Sequence, residues 1–155
     1  MGDKVQAIAD LLRDQGRSLA VAESLTSGAV ASRLGAGPGA ADWFRDGDRR
    51  LRRVGQVRPA RGHAPKPLVT ERCARGLAEG VARLLKADVA LGVTGVGGPE
   101  PDEGKPAGTV VMAVTAGGAE TCRTFRFPGD PEDVIAATVE RAVAMLAEAS
   151  ARAFG

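Results

Sequence analysis

Hydrophobic residues along this chain gather into short runs, and the spacing inside each run predicts the element it forms. From Asp3 to Gln15, Val5, Ile8, Ala9, Leu11 and Leu12 return on one side at helical spacing, with Asp3 placed to cap the start and Gly16 to end the helix. Leu19–Glu23 is continuous rather than periodic, as a buried strand is, and it stops in Ser24, Thr26, Ser27 and Gly28. Ala29–Leu34 resumes a helical pattern, Gly35–Gly39 reads as a loop, and Ala40–Phe44 as one more helical turn with Trp43 and Phe44 as core anchors. Residues 46–67 show neither a period of two nor one of 3.6, and they contain Pro59, Pro65, Pro67, Gly55 and Gly62; a poorly packed loop, or a strand with buried arginines, is expected there.

Order returns at Thr70, an N-cap followed by Glu71, for a helix to Leu85 with apolar positions Cys73, Leu77, Val81, Leu84 and Leu85. Asp88–Val93 and Gly108–Val114 read as buried strands, and Ala116–Ala119 as a hairpin turn into Glu120–Phe127, where Cys122, Thr124 and Arg126 alternate with Arg123, Phe125 and Phe127. Asp130 as cap and Pro131 at the first helical position open a long final helix through Met145 towards Ala153. Strands interleaved with helices predict an α/β fold, a layered α/β/α arrangement with a mixed sheet, and residues 1–155 are expected to form a single domain.

Composition narrows the class. Hydrophobic residues at 44% and charged residues at 26% are those of a soluble globular protein. No apolar run approaches the roughly 18 residues of a membrane span, and residues 1–15 lack the features of a signal peptide, so the expectation is a cytoplasmic protein with no membrane partner. Two cysteines, Cys73 and Cys122, without CxxC spacing, and a single histidine, His63, argue against a zinc site or a disulfide framework; no metal and no cofactor are expected. The net charge of +2 conceals a local excess: Arg49, Arg50, Arg52, Arg53, Arg58, Arg61 and Lys66 fall within residues 49–66, which hold no acidic residue, leaving 14 of the 21 basic residues against 19 acidic ones elsewhere. That run has no aromatic residue for base stacking and no helical stripe, which disfavours nucleic acid as a partner.

Candidate chemistry sits where two strands empty into small residues. In open α/β sheets ligands bind beyond the carboxyl ends of strands, where amides at helix starts hold negative charge, and Ser24 occupies such an end. Ser, Thr and Gly also cap ordinary helices, so Ser24–Gly28 alone predicts no more than a cap. A second apolar run, Leu91–Val93, empties into Thr94, Gly95, Val96, Gly97, Gly98 and a loop running through Lys105 to Gly108 and Thr109. Taken alone, Gly95–Gly98 is a tight turn; paired with the first motif it is a candidate site.

With these stretches in place, Ala22-Glu-Ser-Leu-Thr-Ser-Gly28, Asp42-Trp-Phe44, Val93-Thr-Gly-Val-Gly-Gly-Pro99, Lys105-Pro-Ala-Gly-Thr109 and Phe127-Pro-Gly-Asp130 stand in the order and spacing of one family. Over about residues 3–150, with one gap, the chain resembles the C-terminal domain of the CinA (competence/damage-inducible) family, whose standalone members are nicotinamide mononucleotide amidohydrolases. The resemblance implies an amidase in which Ser24 attacks the nicotinamide carboxamide, ammonia leaves and water releases nicotinate mononucleotide. Backbone amides near Thr26–Gly28 or Gly95–Gly98 would serve the oxyanion, and Thr26, Ser27, Gly28, Thr94, Gly95, Gly97, Gly98, Lys105, Gly108 and Thr109 are the substrate-binding positions it suggests. A small nucleotide substrate and a homo-oligomer, a dimer or higher, are the partners implied. CinA domains are also associated with competence and DNA damage, so a catalytically inactive interaction protein is the alternative reading.

The gap falls where the family places a strand with a tyrosine and, five residues later, a lysine that activates the serine. By spacing, those positions are Leu51 and Gln56, and the chain contains no tyrosine. Permitted codons for residues 47–63, read one base later, encode Ala-Thr-Val-Ala-Tyr-Ala-Glu-Ser-Val-Lys-Phe-Asp-Leu-Leu-Gly-Val-Thr, which is the family's strand with both residues in register. Residues 47–64 therefore read as a local frameshift, compensated near Ala64–Lys66. The last helix departs too: Pro131, Ile135 and Ala136 stand where the family commonly has arginines, with Arg126 or Arg141 as substitutes for a phosphate contact.

Overall fold

The computed structural model describes residues 3–45 and 68–155. The expectations for residues 46–67, the unpaired basic loop and the positions Leu51 and Gln56, lie outside the described residues.

Helix α1 (Lys4–Gln15) starts where the Asp3 carboxylate accepts the Val5 N–H at 2.9 Å, and it ends at Gly16, whose left-handed backbone turns its N–H back to the last carbonyls. Strand β1 (Leu19–Glu23), helix α2 (Ala29–Gly35) and the short helix α3 (Ala40–Trp43) follow. The helical turn expected over Ala40–Phe44 stops one residue early. Phe44 is already extended and bridges Leu19 in parallel, and the Arg45 N–H donates to the Leu19 carbonyl at 2.8 Å. The chain thus leaves the described part running beside the outer edge of β1.

Helix α4 (Glu71–Leu85) is capped by the Thr70 hydroxyl, which accepts the Cys73 N–H. Strands β2 (Val89–Gly95), β3 (Thr109–Ala116) and β4 (Ala119–Arg126) precede the final helix α5 (Pro131–Phe154). Asp130 and Asp133 each accept the other's backbone N–H across the first turn of α5, a capping box with Pro131 at the position that needs no donor. The sheet order is β1-β2-β3-β4, with β1 and β2 parallel and the other pairs antiparallel. The β3–β4 turn places Gly117 and Gly118 at φ 57° and 81°, the left-handed pair that a two-residue hairpin loop requires.

The expected mixed sheet and layered α/β/α arrangement are thus present. Helix α4 covers one face; α1 and α5 cover the other, packing Val5, Ile8, Leu12, Val143 and Leu146 with Leu19, Leu91, Val93, Met112 and Val114 around buried Trp43. Of the apolar positions expected on α4, Val81 is buried and Leu77 and Leu85 pack beside it, with Ala74 and Ala78 buried as well; Leu84 departs, at 55% exposed. The reason lies in the strands beneath, where Ala20, Ala22, Ala90 and Gly92 are small enough to draw the helix in at its small residues. A Cβ at Gly92 would run into the Ala74 carbonyl and lie 2.7 Å from the Ala78 nitrogen.

Gly92→Ala is therefore expected to force α4 off the sheet, costing about 1–3 kcal/mol as overpacking does. Urea unfolding measures it, and an unchanged midpoint would show that α4 does not sit this close.

Candidate functional site

Parallel pairing of β1 with β2, Glu23 opposite Val93, brings both strands to a close at the same edge of the sheet. The ladder runs one residue further: the Ser24 N–H donates to the Val93 carbonyl at 3.1 Å, and the Ser24 hydroxyl donates to the same oxygen at 3.1 Å. Ser24 itself is exposed. Leu25 then lies against the glycine-rich loop, with a Cβ on Gly95 reaching within 3.0 Å and one on Gly97 within 3.1 Å of its methyl groups. The two stretches singled out in the sequence are in contact, and their glycines make room for it.

The turn after Ser24 is tightly wound. The Ala29 N–H closes on the Thr26 carbonyl at 3.0 Å, and the two residues between, Ser27 and Gly28, have φ of 51° and 91°. Glycine adopts that conformation freely, whereas serine does so at a cost. Beneath the turn lies Glu23, 8% exposed. Its carboxylate accepts the Thr26 hydroxyl and the Val30 N–H on one oxygen and the Ala31 N–H on the other, the last two at 2.8 and 3.0 Å. The first amides of α2, expected to be open to a ligand, are thus held by the protein's own carboxylate.

The other candidate residues divide by what their polar groups already do. Thr94 is buried with its hydroxyl on the Leu68 carbonyl at 2.9 Å, and Thr109 is buried with its hydroxyl on the Pro106 carbonyl at 2.7 Å. Gly108 is buried at φ 87°, its N–H on the Val96 carbonyl, where a Cβ would meet the Phe127 carbonyl. Lys105 is half-buried in a turn whose backbone exchanges hydrogen bonds with Asp102. In contrast, the N–H groups of Leu25, Thr26, Ser27 and Gly28 on one loop, and of Gly97 and Gly98 on the other, donate to no group among the described residues.

Two acidic residues escaped the sequence reading. Glu23 reads in the sequence as the end of an apolar strand; a lone carboxylate closing such a run, three residues before a threonine, is the signal that it would be buried and paired. Glu103, at φ 52°, accepts the Leu68 and Val69 amides and ties the loop after Gly98 to the start of α4. Its contacts cross between distant segments, so no local spacing announces them.

Chemically, an exposed hydroxyl flanked by unspent amides from two loops is the arrangement an acyl-transfer nucleophile and its oxyanion donors need. Among the described residues no lysine, histidine or carboxylate hydrogen-bonds the Ser24 hydroxyl, whose one partner is the Val93 carbonyl. The Cys73 thiol, on the first turn of α4, is a poor rival. Burial pushes its pKa up and Glu103 adds to the shift against a hydrogen bond with Thr94, leaving it protonated at neutral pH. Among the described residues no group of His, Cys, Asp and Glu side chains could hold a metal ion, and no helix is long and apolar enough to cross a membrane.

Known proteins place this architecture. The family model described as the CinA C-terminal domain matches residues 3–150. The chain is 36% identical over 144 residues, 90% of its length, to a putative competence-damage inducible protein of Desulforamulus reducens, and 35% identical over 136 residues to a CinA-like protein of Citrifermentans bemidjiense. It spans about a third of the length of these relatives, 35% and 32% respectively. Among solved structures it is similar to a CinA superfamily protein of Klebsiella pneumoniae 700603, with a TM-score of 0.80, 35% identity and 96% of each chain covered. A CinA superfamily protein of Enterobacter cloacae gives a TM-score of 0.81 at 30% identity, over 95% of this chain and 90% of that one. This chain therefore belongs to the CinA C-terminal domain family.

Proposed function

We propose that this domain is built as a nicotinamide-nucleotide amidohydrolase working through Ser24, and that its activity is impaired by the sequence of residues 47–64. The observation that carries the reading is the exposed Ser24 at the joint end of two parallel strands, beside two loops in which the Leu25–Gly28, Gly97 and Gly98 N–H groups donate to no group among the described residues. In the proposed reaction the Ser24 oxygen bonds to the carboxamide carbon of nicotinamide mononucleotide while its proton passes to a base. The resulting oxyanion accepts from the loop amides, the carbon–nitrogen bond breaks, and the protonated leaving group departs as ammonia. Water then attacks the ester on Ser24, giving nicotinate mononucleotide and the free hydroxyl.

A serine hydroxyl is a weak nucleophile without a base beside it. The resemblance assigns that task to a lysine whose place Gln56 now holds, with Leu51 at the place of the tyrosine. The parallel bridge of Phe44 with Leu19 supports a link between that segment and the site. A restored strand continuing this register would bring position 49 level with Ser24, two residues before the position of the tyrosine.

Ser24→Ala in a chain whose residues 47–63 carry the shifted-frame sequence is expected to abolish ammonia release from nicotinamide mononucleotide. The same change should alter stability by no more than about 1 kcal/mol, since the Val93 carbonyl keeps its backbone donor. Full turnover by the alanine variant would remove Ser24 from the mechanism.

The chain as written should be slower than the restored chain by about 10²–10⁴-fold, the usual worth of general-base assistance. Restoring the tyrosine alone should not recover the rate. Equal ammonia release from the written and restored chains would refute both the frameshift and the role given to the lysine.

A further inference from the structure

The buried carboxylate next to Ser24 has no part in the reaction as just written, yet it holds more of the turn than any other side chain. Glu23 and Ser24 are neighbours on β1 and so project to opposite faces of the sheet. Ser24 is exposed, whereas Glu23 reaches under the turn and grips it at both ends: the Thr26 hydroxyl where the turn begins, the Val30 and Ala31 amides where α2 begins. Between these grips sit Ser27 and Gly28, both in the left-handed region, and their N–H groups donate to no group among the described residues.

We propose that Glu23 is a positioning residue for the Ser24 site, a clasp that keeps the left-handed turn wound and its free amides aimed past the serine. A serine in the left-handed region costs on the order of 1–2 kcal/mol, so the turn persists only where its surroundings over-determine it. Glu23 supplies three hydrogen bonds to that end, and a charged acceptor makes each one stronger than its neutral counterpart. The same contacts occupy the first amides of α2, so an anion at this site has the turn's amides, and those of Gly97 and Gly98, to bind instead. The kinetic consequence rests on the amidohydrolase reading; the structural one does not.

Glu23→Gln tests both. The glutamine oxygen can keep the Thr26 and Val30 contacts, but its NH2 group then faces the Ala31 N–H, donor to donor. In the chain as written, hydrogen exchange at Ala31 and at Ala29, whose N–H closes the turn on the Thr26 carbonyl, should speed up at least tenfold while β2 and β3 amides exchange at the parent rate. In the restored chain, kcat for nicotinamide mononucleotide should fall at least tenfold with KM within about twofold. Adding Ser27→Gly, which removes the left-handed penalty, should slow exchange at Ala29 again. Exchange at Ala29 and Ala31 equal to the parent's would overturn the clasp, and parental kcat with altered exchange would overturn its role in positioning. If the restored parent itself fails to release ammonia, the functional reading falls and the exchange measurements still decide the clasp.

Discussion

The parallel pairing of β1 with β2 is the constraint on which everything near Ser24 depends. Hairpins join antiparallel strands and send their ends opposite ways; here the chain travels from Glu23 through α2, α3 and α4 before it returns as β2 in the same direction. Two loops therefore leave the sheet at one edge. Because the Ser24 amide continues the ladder onto the Val93 carbonyl, the register of the strands also sets where the hydroxyl stands. A shift of one residue would exchange the faces of Glu23 and Ser24, putting the carboxylate in solvent and the hydroxyl in the core.

Close approach is the second constraint, and it works on both sides of the sheet. Gly92 lets α4 settle on β2, and Gly95 and Gly97 let Leu25 settle on the second loop. Neither contact leaves room for a methyl group without displacement. The loop after Gly98 is then held to the start of α4 by Glu103, and Thr94 reinforces that junction through the Leu68 carbonyl. Thr94 and Thr109 thus earn their places in the motifs as internal fasteners, with hydroxyls facing backbone carbonyls. What remains open to a ligand is chiefly backbone, which is why small residues dominate both stretches.

Much of this was legible in the letters. The runs Leu19–Glu23 and Leu91–Val93, the Asp3, Thr70 and Asp130 caps, and the glycine pair of the hairpin all act locally, so a window of a few residues contains the whole physical cause. The exposure of Leu84 and the burial of Ala74 and Ala78 were not legible, because the seat of α4 is decided by Ala20, Ala22, Ala90 and Gly92 on two other elements, and a large side chain looks like core until the space beneath it is known. The role of Glu103 escapes for the same reason, since the amides it accepts, Leu68 and Val69, come from a distant segment. Glu23 finds its partners within the turn that follows it, at Thr26, Val30 and Ala31, and these meet it only once the turn is wound. The pairing of the serine turn with the glycine loop was legible in two apolar runs that empty alike into small residues; its physical basis, the parallel register and the seat of Leu25, belongs to the folded chain.

The central claim is that Ser24 forms the bond to the substrate. Its most direct test is to mix the chain carrying the shifted-frame residues 47–63 with nicotinamide mononucleotide, quench in acid early in turnover, digest, and locate the acyl mass among the peptides. The account predicts a nicotinoyl-nucleotide ester on the peptide that contains Ser24. The same mass on a peptide without Ser24 would contradict it.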